Sequence, residues 1–341
     1  MEHRALGVAI QGAGWVSTEH IRAYQKNPHT RVVAIGSRTR EGAARKAQEF
    51  GLDVPVFERY EDMLALPGVD IVSICTPPQR HCEETVLAAQ AGKHILIEKP
   101  VATNPADLQR MHQAVRQAGV RTVVSFVLRW NLAVKNIKAL AASGAFGTAF
   151  LVQTDYWHNL EQAGLLGHGG GVSIILSGGC HAVDLARYLM GSDIEEVTAL
   201  SWSPPPTAGG AVSHVGAANT VVLVRFANGS MGKVSACSSQ WMPYNFNIDL
   251  FGTDGVIRGN RLYTRQLPGL TGFAELPTIL PDNGDVAHHP FQGEIDHFVA
   301  CILDGRESHV NLADAVNTHE ACFAADMSAE QGGRPVKLPL A

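Results

Sequence analysis

Between Leu6 and Val124, short apolar runs alternate with amphipathic stretches, and this alternation constrains the fold more than any other feature of the chain. Runs so short and so apolar read as strands buried on both faces, joined by crossover helices. Strands are expected at Leu6–Gln11, Arg31–Gly36, Ile71–Cys75, His94–Glu98 and Arg121–Ser125. Helices fill the gaps. One over Glu41–Phe50 stops at Gly51; another over Ala106–Ala118 has Asn104 as N-cap, Pro105 at its first position and Gly119 just past its end. Right-handed crossovers then impose a doubly wound layer whose ligand crevice lies at the carboxyl ends of the strands.

After Phe126 the texture changes. Ala133–Ala142 reads as a helix, followed by strand-like runs at Thr148–Trp157, Glu196–Trp202, Thr220–Phe226, Ser230–Ser238 and Asn245–Phe251. Ala227-Asn228-Gly229 is a hairpin signal, because Asn and Gly both tolerate positive φ. Without helices between them these strands should pair antiparallel, and helical periodicity returns from Phe291 to Glu330. The expected fold class is therefore α/β: a doubly wound parallel-sheet domain over residues 1–125, then an α+β domain with a mostly antiparallel open sheet over 126–341. An open antiparallel sheet needs cover on its exposed face, so a homodimer or homotetramer is expected.

With 341 residues, 45% of them hydrophobic, the chain can bury a sizeable core. Its net charge of -5 carries no long single-sign run, which argues against nucleic acid or a polybasic membrane surface as partner and leaves a small molecule. No apolar stretch reaches the ~18 residues of a membrane span, and Met1-Glu2-His3-Arg4 leads into a strand rather than a signal peptide, so a cytoplasmic protein is expected. Six cysteines without a CxxC pair read as reduced thiols. Despite 15 histidines, no HExxH occurs, and Cys180-His181 and His288-His289 lack further ligands at readable spacing, so no metal is expected. No Gly-x-Ser-x-Gly elbow is present.

Gly12-Ala13-Gly14-Trp15-Val16-Ser17 follows the first strand and opens a helix, where Gly12 and Gly14 permit a tight turn and close approach of a pyrophosphate, with Trp15 and Val16 beside it. The second strand ends in Ser37-Arg38, where an NAD site usually carries a carboxylate. Ser37 and Arg38 can instead bond a 2′-phosphate, which favours NADP; with Arg38 stacked on adenine or solvated, NAD serves equally. Thr76, Pro77 and His81 form a rigid loop after the third of these strands, either lining the cofactor crevice or simply ending the strand. Glu98-Lys99-Pro100 places a lysine where the nicotinamide should lie, unless the lysine snorkels and pairs with Glu98.

Gly12–Ser17, the Thr76-Pro77 loop with His81, Ala91-Gly92-Lys93-His94 leading to Glu98-Lys99-Pro100, and Gly169-Gly170-Gly171 leading to His181-Ala182-Val183-Asp184 together resemble the Gfo/Idh/MocA oxidoreductases. His289-Pro290-Phe291 through Asp296-His297-Phe298 and Ser328-Ala329-Glu330 extend the likeness across nearly the whole chain. The resemblance implies an N-terminal Rossmann domain, a nicotinamide cofactor, and a sugar or cyclitol substrate. It also implies that Lys99 and His181 flank the reacting hydroxyl. The family usually has an aspartate four residues before that histidine, and Ser177 takes its place here, in a slightly longer Val172–Cys180 stretch.

Oxidising a secondary alcohol needs a base for the hydroxyl proton and a positive charge for the developing alkoxide, which suit His181 and Lys99. Asp184 either orients the imidazole, binds substrate hydroxyls or supplies N-terminal helix charge. Arg129, Tyr156 and His158 suit a sugar ring, though an amphipathic interface would look alike, and His168 lies among glycines near His181. The expected activity is NAD(P)-dependent interconversion of a ring CH–OH and ketone on a sugar, cyclitol or glycoside. Two alternatives stand beside it: redox-assisted elimination or glycoside cleavage with a retained cofactor, and a nucleotide-sensing regulator without turnover.

Overall fold

The computed structural model describes residues 4–159, 171–204, 216–278 and 289–340. By contacts the chain divides into two compact units, Met1–Val127 with Pro290–Val316, and Leu128–His289 with Asn317–Ala341. The segment from Pro290 to Val316, read from sequence as part of the second domain, thus packs with the first.

The first unit runs β1 (Leu6–Gln11), α1 (Trp15–Lys26), β2 (Thr30–Gly36), α2 (Arg40–Glu49), β3 (Val56–Phe57), α3 (Tyr60–Leu64), β4 (Ile71–Ile74), α4 (His81–Gln90), β5 (His94–Ile97), α5 (Pro105–Ala118) and β6 (Thr122–Val124). All its strands pair in parallel, in the order β3-β2-β1-β4-β5-β6. The order reverses direction between β1 and β4, which makes their carboxyl ends the switch point where such sheets bind ligands. The central strands are apolar and buried throughout, as sheets covered on both faces require: Val8, Ala9, Ile10, Ile71, Val72, Ile95, Leu96 and Ile97 are fully shielded. Local chemistry sets the ends of α5: Asn104 accepts from the Asp107 N–H, Pro105 opens the helix, and Gly119 closes it at φ 67°.

The second unit contains α6 (Leu132–Ala142), β7 (Ala149–Trp157), α7 (Ile174–Ser177), α8 (Cys180–Met190), β8 (Ile194–Trp202), β9 (Asn219–Phe226), β10 (Met231–Cys237), β11 (Asn245–Gly252), β12 (Gly255–Arg258), β13 (Arg261–Thr264) and β14 (Ala274–Glu275). The chain then forms α9 (Phe291–Leu303) in the first unit, α10 (Leu312–Glu330), and β15 (Val336–Lys337), which rejoins the second. The nine strands are ordered β14-β13-β12-β11-β7-β10-β9-β8-β15. The sheet is mostly antiparallel, with one exception: β7 and β10 pair in parallel. The reason is α8, which the sequence reading left out of the strand series. It packs on the sheet and returns the chain, as a parallel neighbour requires. Thr154 on β7 fastens this cover by donating to the Ala182 carbonyl at 2.9 Å.

The single helical region expected over Phe291–Glu330 is two helices, α9 and α10, broken at Gly305 with φ 67°. In the first unit α9 lies against α1: Asn27 Nδ2 donates to Asp296 Oδ1 at 2.7 Å and Gln292 Nε2 to the Ala23 carbonyl at 3.2 Å. The strand edge at β6 is capped by the same return segment, through Val124 N–H to the Val310 carbonyl at 2.9 Å and Leu312 N–H to Thr122 Oγ1 at 2.9 Å.

Candidate active site

The end of β1 turns sharply at Gly12, whose φ is 109°. A Cβ there would lie 2.6 Å from the Cys75 carbonyl oxygen, so no other residue lets the turn pass this close to the end of β4. At Gly14 the same construction meets nothing within 4 Å, so space is open in front of the start of α1. Gly14 is the N-cap of α1, no side chain caps the helix, and its first turn carries no acid. A twelve-residue helix with uncapped N–H groups facing open space fits a pyrophosphate, and Trp15, 54% exposed, and Val16 stand at that opening. These observations fit a dinucleotide at the switch point.

Ser37 and Arg38 follow β2, with Ser37 half-buried and Arg38 exposed. No carboxylate stands in sequence at this strand end, but the fold brings one near from the turn after β3, where Glu58 accepts the Arg40 N–H at 2.8 Å. The Thr76-Pro77 loop is braced from beneath. Glu84, 1% exposed, accepts from Thr76 Oγ1, from Gln11 Nε2 at 2.8 Å and from Arg80 Nε at 3.0 Å. His81, offered to the cofactor from sequence, is fully buried, with Nδ1 at 2.9 Å from the Pro100 carbonyl and Nε2 at 2.8 Å from the Thr76 carbonyl. Its ring clasps two loops together. Burial holds its pKa below the ordinary value against the pull of both carbonyls.

Glu98 is likewise turned inward. Its Oε1 meets His20 Nε2 at 2.9 Å and its Oε2 accepts the Lys99 N–H at 3.1 Å, leaving the residue 6% exposed. Both side chains therefore act from the interior: a carboxylate or imidazole sealed at these positions needs partners there, and the fold supplies them. Lys99, half-buried, stands at the carboxyl end of β5, one strand from the switch point.

In the second unit, β7, α8, the approach to β11 and His289 bring rings together. Tyr156 OH and His158 Nδ1 are 3.1 Å apart; the rings of His158 and Tyr244 lie 4.9 Å apart, those of Tyr244 and His289 6.2 Å, and those of His181 and His289 6.5 Å. Glycines make the approach possible. A Cβ on Gly178 would strike the Tyr156 ring at 2.3 Å, and one on Gly179 would meet Ala236 Cβ at 2.7 Å. His181 follows at the second position of α8, 5% exposed, and Ser177 closes α7 half-buried.

Arg129 and Asp184 come together, with each other. Arg129 Nε donates to Asp184 Oδ2 at 2.8 Å and Nη2 to Oδ1 at 2.6 Å, both residues buried, with the guanidinium over the Tyr188 ring at 4.9 Å. A bidentate buried pair of this kind is a structural tie whose disruption costs roughly 3–5 kcal/mol. Tyr244, Glu84 and His20 were missed from sequence. The available signal for His20 was its place on the inner face of α1 with Ser17, Ile21 and Tyr24, at helical spacing. His168, Gly169 and Gly170 lie outside the described residues. Among the described residues no group of three His, Cys, Asp or Glu side chains could hold a metal ion, and no helix is long and apolar enough to cross a membrane.

Residues 6–126 match the family model described as "Oxidoreductase family, NAD-binding Rossmann fold", and residues 134–258 match "GFO/IDH/MocA C-terminal domain". Among curated proteins, scyllo-inositol 2-dehydrogenase (NAD(+)) of Bacillus subtilis (strain 168) is 28% identical over 100% of this chain and 98% of its own. Levoglucosan dehydrogenase of Pseudarthrobacter phenanthrenivorans is 27% identical over 74% of this chain and 73% of its own. A solved levoglucosan dehydrogenase in complex with NADH and L-sorbose superposes with a TM-score of 0.87 at 24% identity, covering 99% of this chain and 100% of that one, which shows the shared fold.

Proposed function

This chain belongs to the Gfo/Idh/MocA oxidoreductase family, with an NAD-binding Rossmann fold, and we propose that within it the protein oxidises a ring CH–OH of a sugar or cyclitol to the ketone, or runs the reverse reduction. The observation that carries this reading is Lys99, at the carboxyl end of β5 and one strand from the switch point whose glycine turn stands open. Relatives named as inositol and levoglucosan dehydrogenases support the substrate class, as does a cluster of Tyr and His rings that suits a polyhydroxylated ring.

A dinucleotide held by its pyrophosphate at the Gly12–Val16 turn would supply a nicotinamide as the hydride acceptor. The chain supplies the proton chemistry. His181 takes the hydroxyl proton on its imidazole as the C–H bond breaks, and Lys99 steadies the negative charge that develops on the same oxygen. Tyr156 and His158 orient the ring through its remaining hydroxyls. Ser177, where relatives of this type usually carry an aspartate, donates or accepts a hydrogen bond without adding charge. The buried Arg129–Asp184 pair ties α8, which carries His181, to the segment before α6.

The test is a screen of inositols, monosaccharides and anhydrosugars, following the absorbance of reduced nicotinamide with both NAD and NADP. With an active substrate in hand, Lys99→Ala should lower kcat on the order of 10²–10³-fold and His181→Ala on the order of 10²–10⁴-fold. Turnover without free reduced cofactor, or a Lys99→Ala enzyme of undiminished kcat, would refute the reading.

A further inference from the structure

Behind the end of β5 the first unit seals a set of ionisable groups that the reaction above does not use. His20, wholly buried on α1, has Nδ1 at 2.7 Å from Ser73 Oγ and Nε2 at 2.9 Å from Glu98 Oε1. Cys75 Sγ lies 3.5 Å from the same Nδ1. From α9 comes Glu294, also wholly buried: Ser125 Oγ donates to its Oε2 at 3.1 Å, and its Oε1 meets no donor among the described residues. Tyr24, Cys75, Glu98 and Glu294 are the titratable groups around His20, and Lys99 stands next to Glu98 in the chain.

Two carboxyls and one imidazole in a dry interior settle where their charges cancel: one imidazolium, one carboxylate, one neutral acid. The neutral acid is Glu294. Burial pushes it well above the ordinary carboxyl range, and the neighbouring Glu98 charge adds to the rise that the His20 charge opposes. Burial also disfavours a charged Glu98, but the hydrogen bond and the charge of His20, with the Lys99 ammonium, bring it below its ordinary value. His20 resists its own burial through Cys75 and Glu98 and is held well above the ordinary imidazole range.

We propose that Glu98, clamped on His20, is a positioning residue for Lys99: its carboxylate fixes the lysine's backbone N–H and keeps a negative charge beside the lysine inside the protein. Glu294, neutral, takes its hydrogen bond from Ser125 and leaves His20 to Glu98.

The inference rests on the reading that Lys99 acts at the reacting oxygen. Glu98→Gln should lower kcat about tenfold or more while the dissociation constant for NAD stays within about threefold. Glu98→Asp, which keeps the carboxylate, should recover much of that kcat. A Glu98→Gln enzyme of wild-type kcat, or a Glu98→Asp enzyme as slow as Glu98→Gln, overturns the proposal. If Lys99→Ala is inactive while Glu98→Gln behaves as wild type, only the positioning role falls; if Lys99→Ala is active, the functional reading falls. Should Glu98→Gln not fold, His20→Leu, which removes the clamp and leaves the carboxylate, should lower kcat in the same way, and a His20→Leu enzyme of wild-type kcat overturns the proposal.

Discussion

At the end of β2 the Arg38 guanidinium stands in solvent, next to a Ser37 hydroxyl and one residue from Thr39, the N-cap of α2. We infer that this end of the site accepts a 2′-phosphate, so that NADP serves as well as NAD. Arg38→Ala should then weaken NADP about tenfold or more, as the loss of one charge-assisted hydrogen bond does, and leave NAD within about threefold, read as dissociation constants by fluorescence titration. Equal losses would show that Arg38 stacks or is solvated. Glu58 bears on the outcome, because its carboxylate sits on the Arg40 N–H nearby. The sequence could not reveal that neighbour: eighteen positions separate it from Arg40, and only the closing of β3 onto β2 brings it there. Residues whose role is set by the backbone were readable, as Gly12 and Asn104 were. Those set by a distant partner were not, as with Glu98 facing His20 or Arg129 facing Asp184.

Among the elements, α7 is tied to α10 by one carboxyl. Ser173, the N-cap of α7, donates to Asp326 Oδ2 at 2.6 Å, and burial pushes Asp326 up from 3.8 to about 6 despite that bond. The folded protein therefore holds this proton more tightly than the unfolded chain, and stability falls as pH rises through the window from 3.8 to about 6. Asp326→Asn, which keeps the acceptor oxygen and removes the charge, should raise Tm at pH 7.5, with the gain shrinking toward pH 4 in thermal melts. A gain that does not vary with pH would contradict this assignment. Elements of four or more residues with clean start and stop chemistry matched the periodicity to within a residue or two: β1 spans the expected residues, and α5 has its expected cap and stop. The short strands β3, β14 and β15 were beyond reach, since two residues carry no period, the four-residue β12 and β13 were missed as well, and α8 was given no bounds, being buried on nearly every side.

For the whole molecule, the second sheet leaves one face that no helix among the described residues covers. Leu200, Trp202, Val221, Leu223 and Met231 are between 49% and 64% exposed there, and cross-strand register sets Leu200 opposite Val221, with Lys233 opposite Leu223. Apolar surface of this extent calls for a partner, and we propose that a second copy of the chain provides it. Sedimentation should give a dimer or tetramer, and the double variant Leu200→Asp with Leu223→Asp should sediment as a folded monomer. A wild-type monomer at micromolar concentration would remove the proposal. This face was foreseeable from alternation alone, whereas the return of Pro290–Val316 to the first unit was not, because its periodicity fits either neighbour.

That return also governs how the protein is made. A ribosome releases α1, β5 and β6 early, yet the helix that shields His20, and the backbone that occupies the free edge of β6, follow only after Pro290. At ~5–20 residues per second the interval between Val127 and Pro290 lasts on the order of ten to thirty seconds. Through that interval the nascent chain carries an uncovered strand edge and an unsealed histidine–glutamate pair, a species suited to a chaperone's care, and the nucleotide-binding half is completed among the last parts of the molecule.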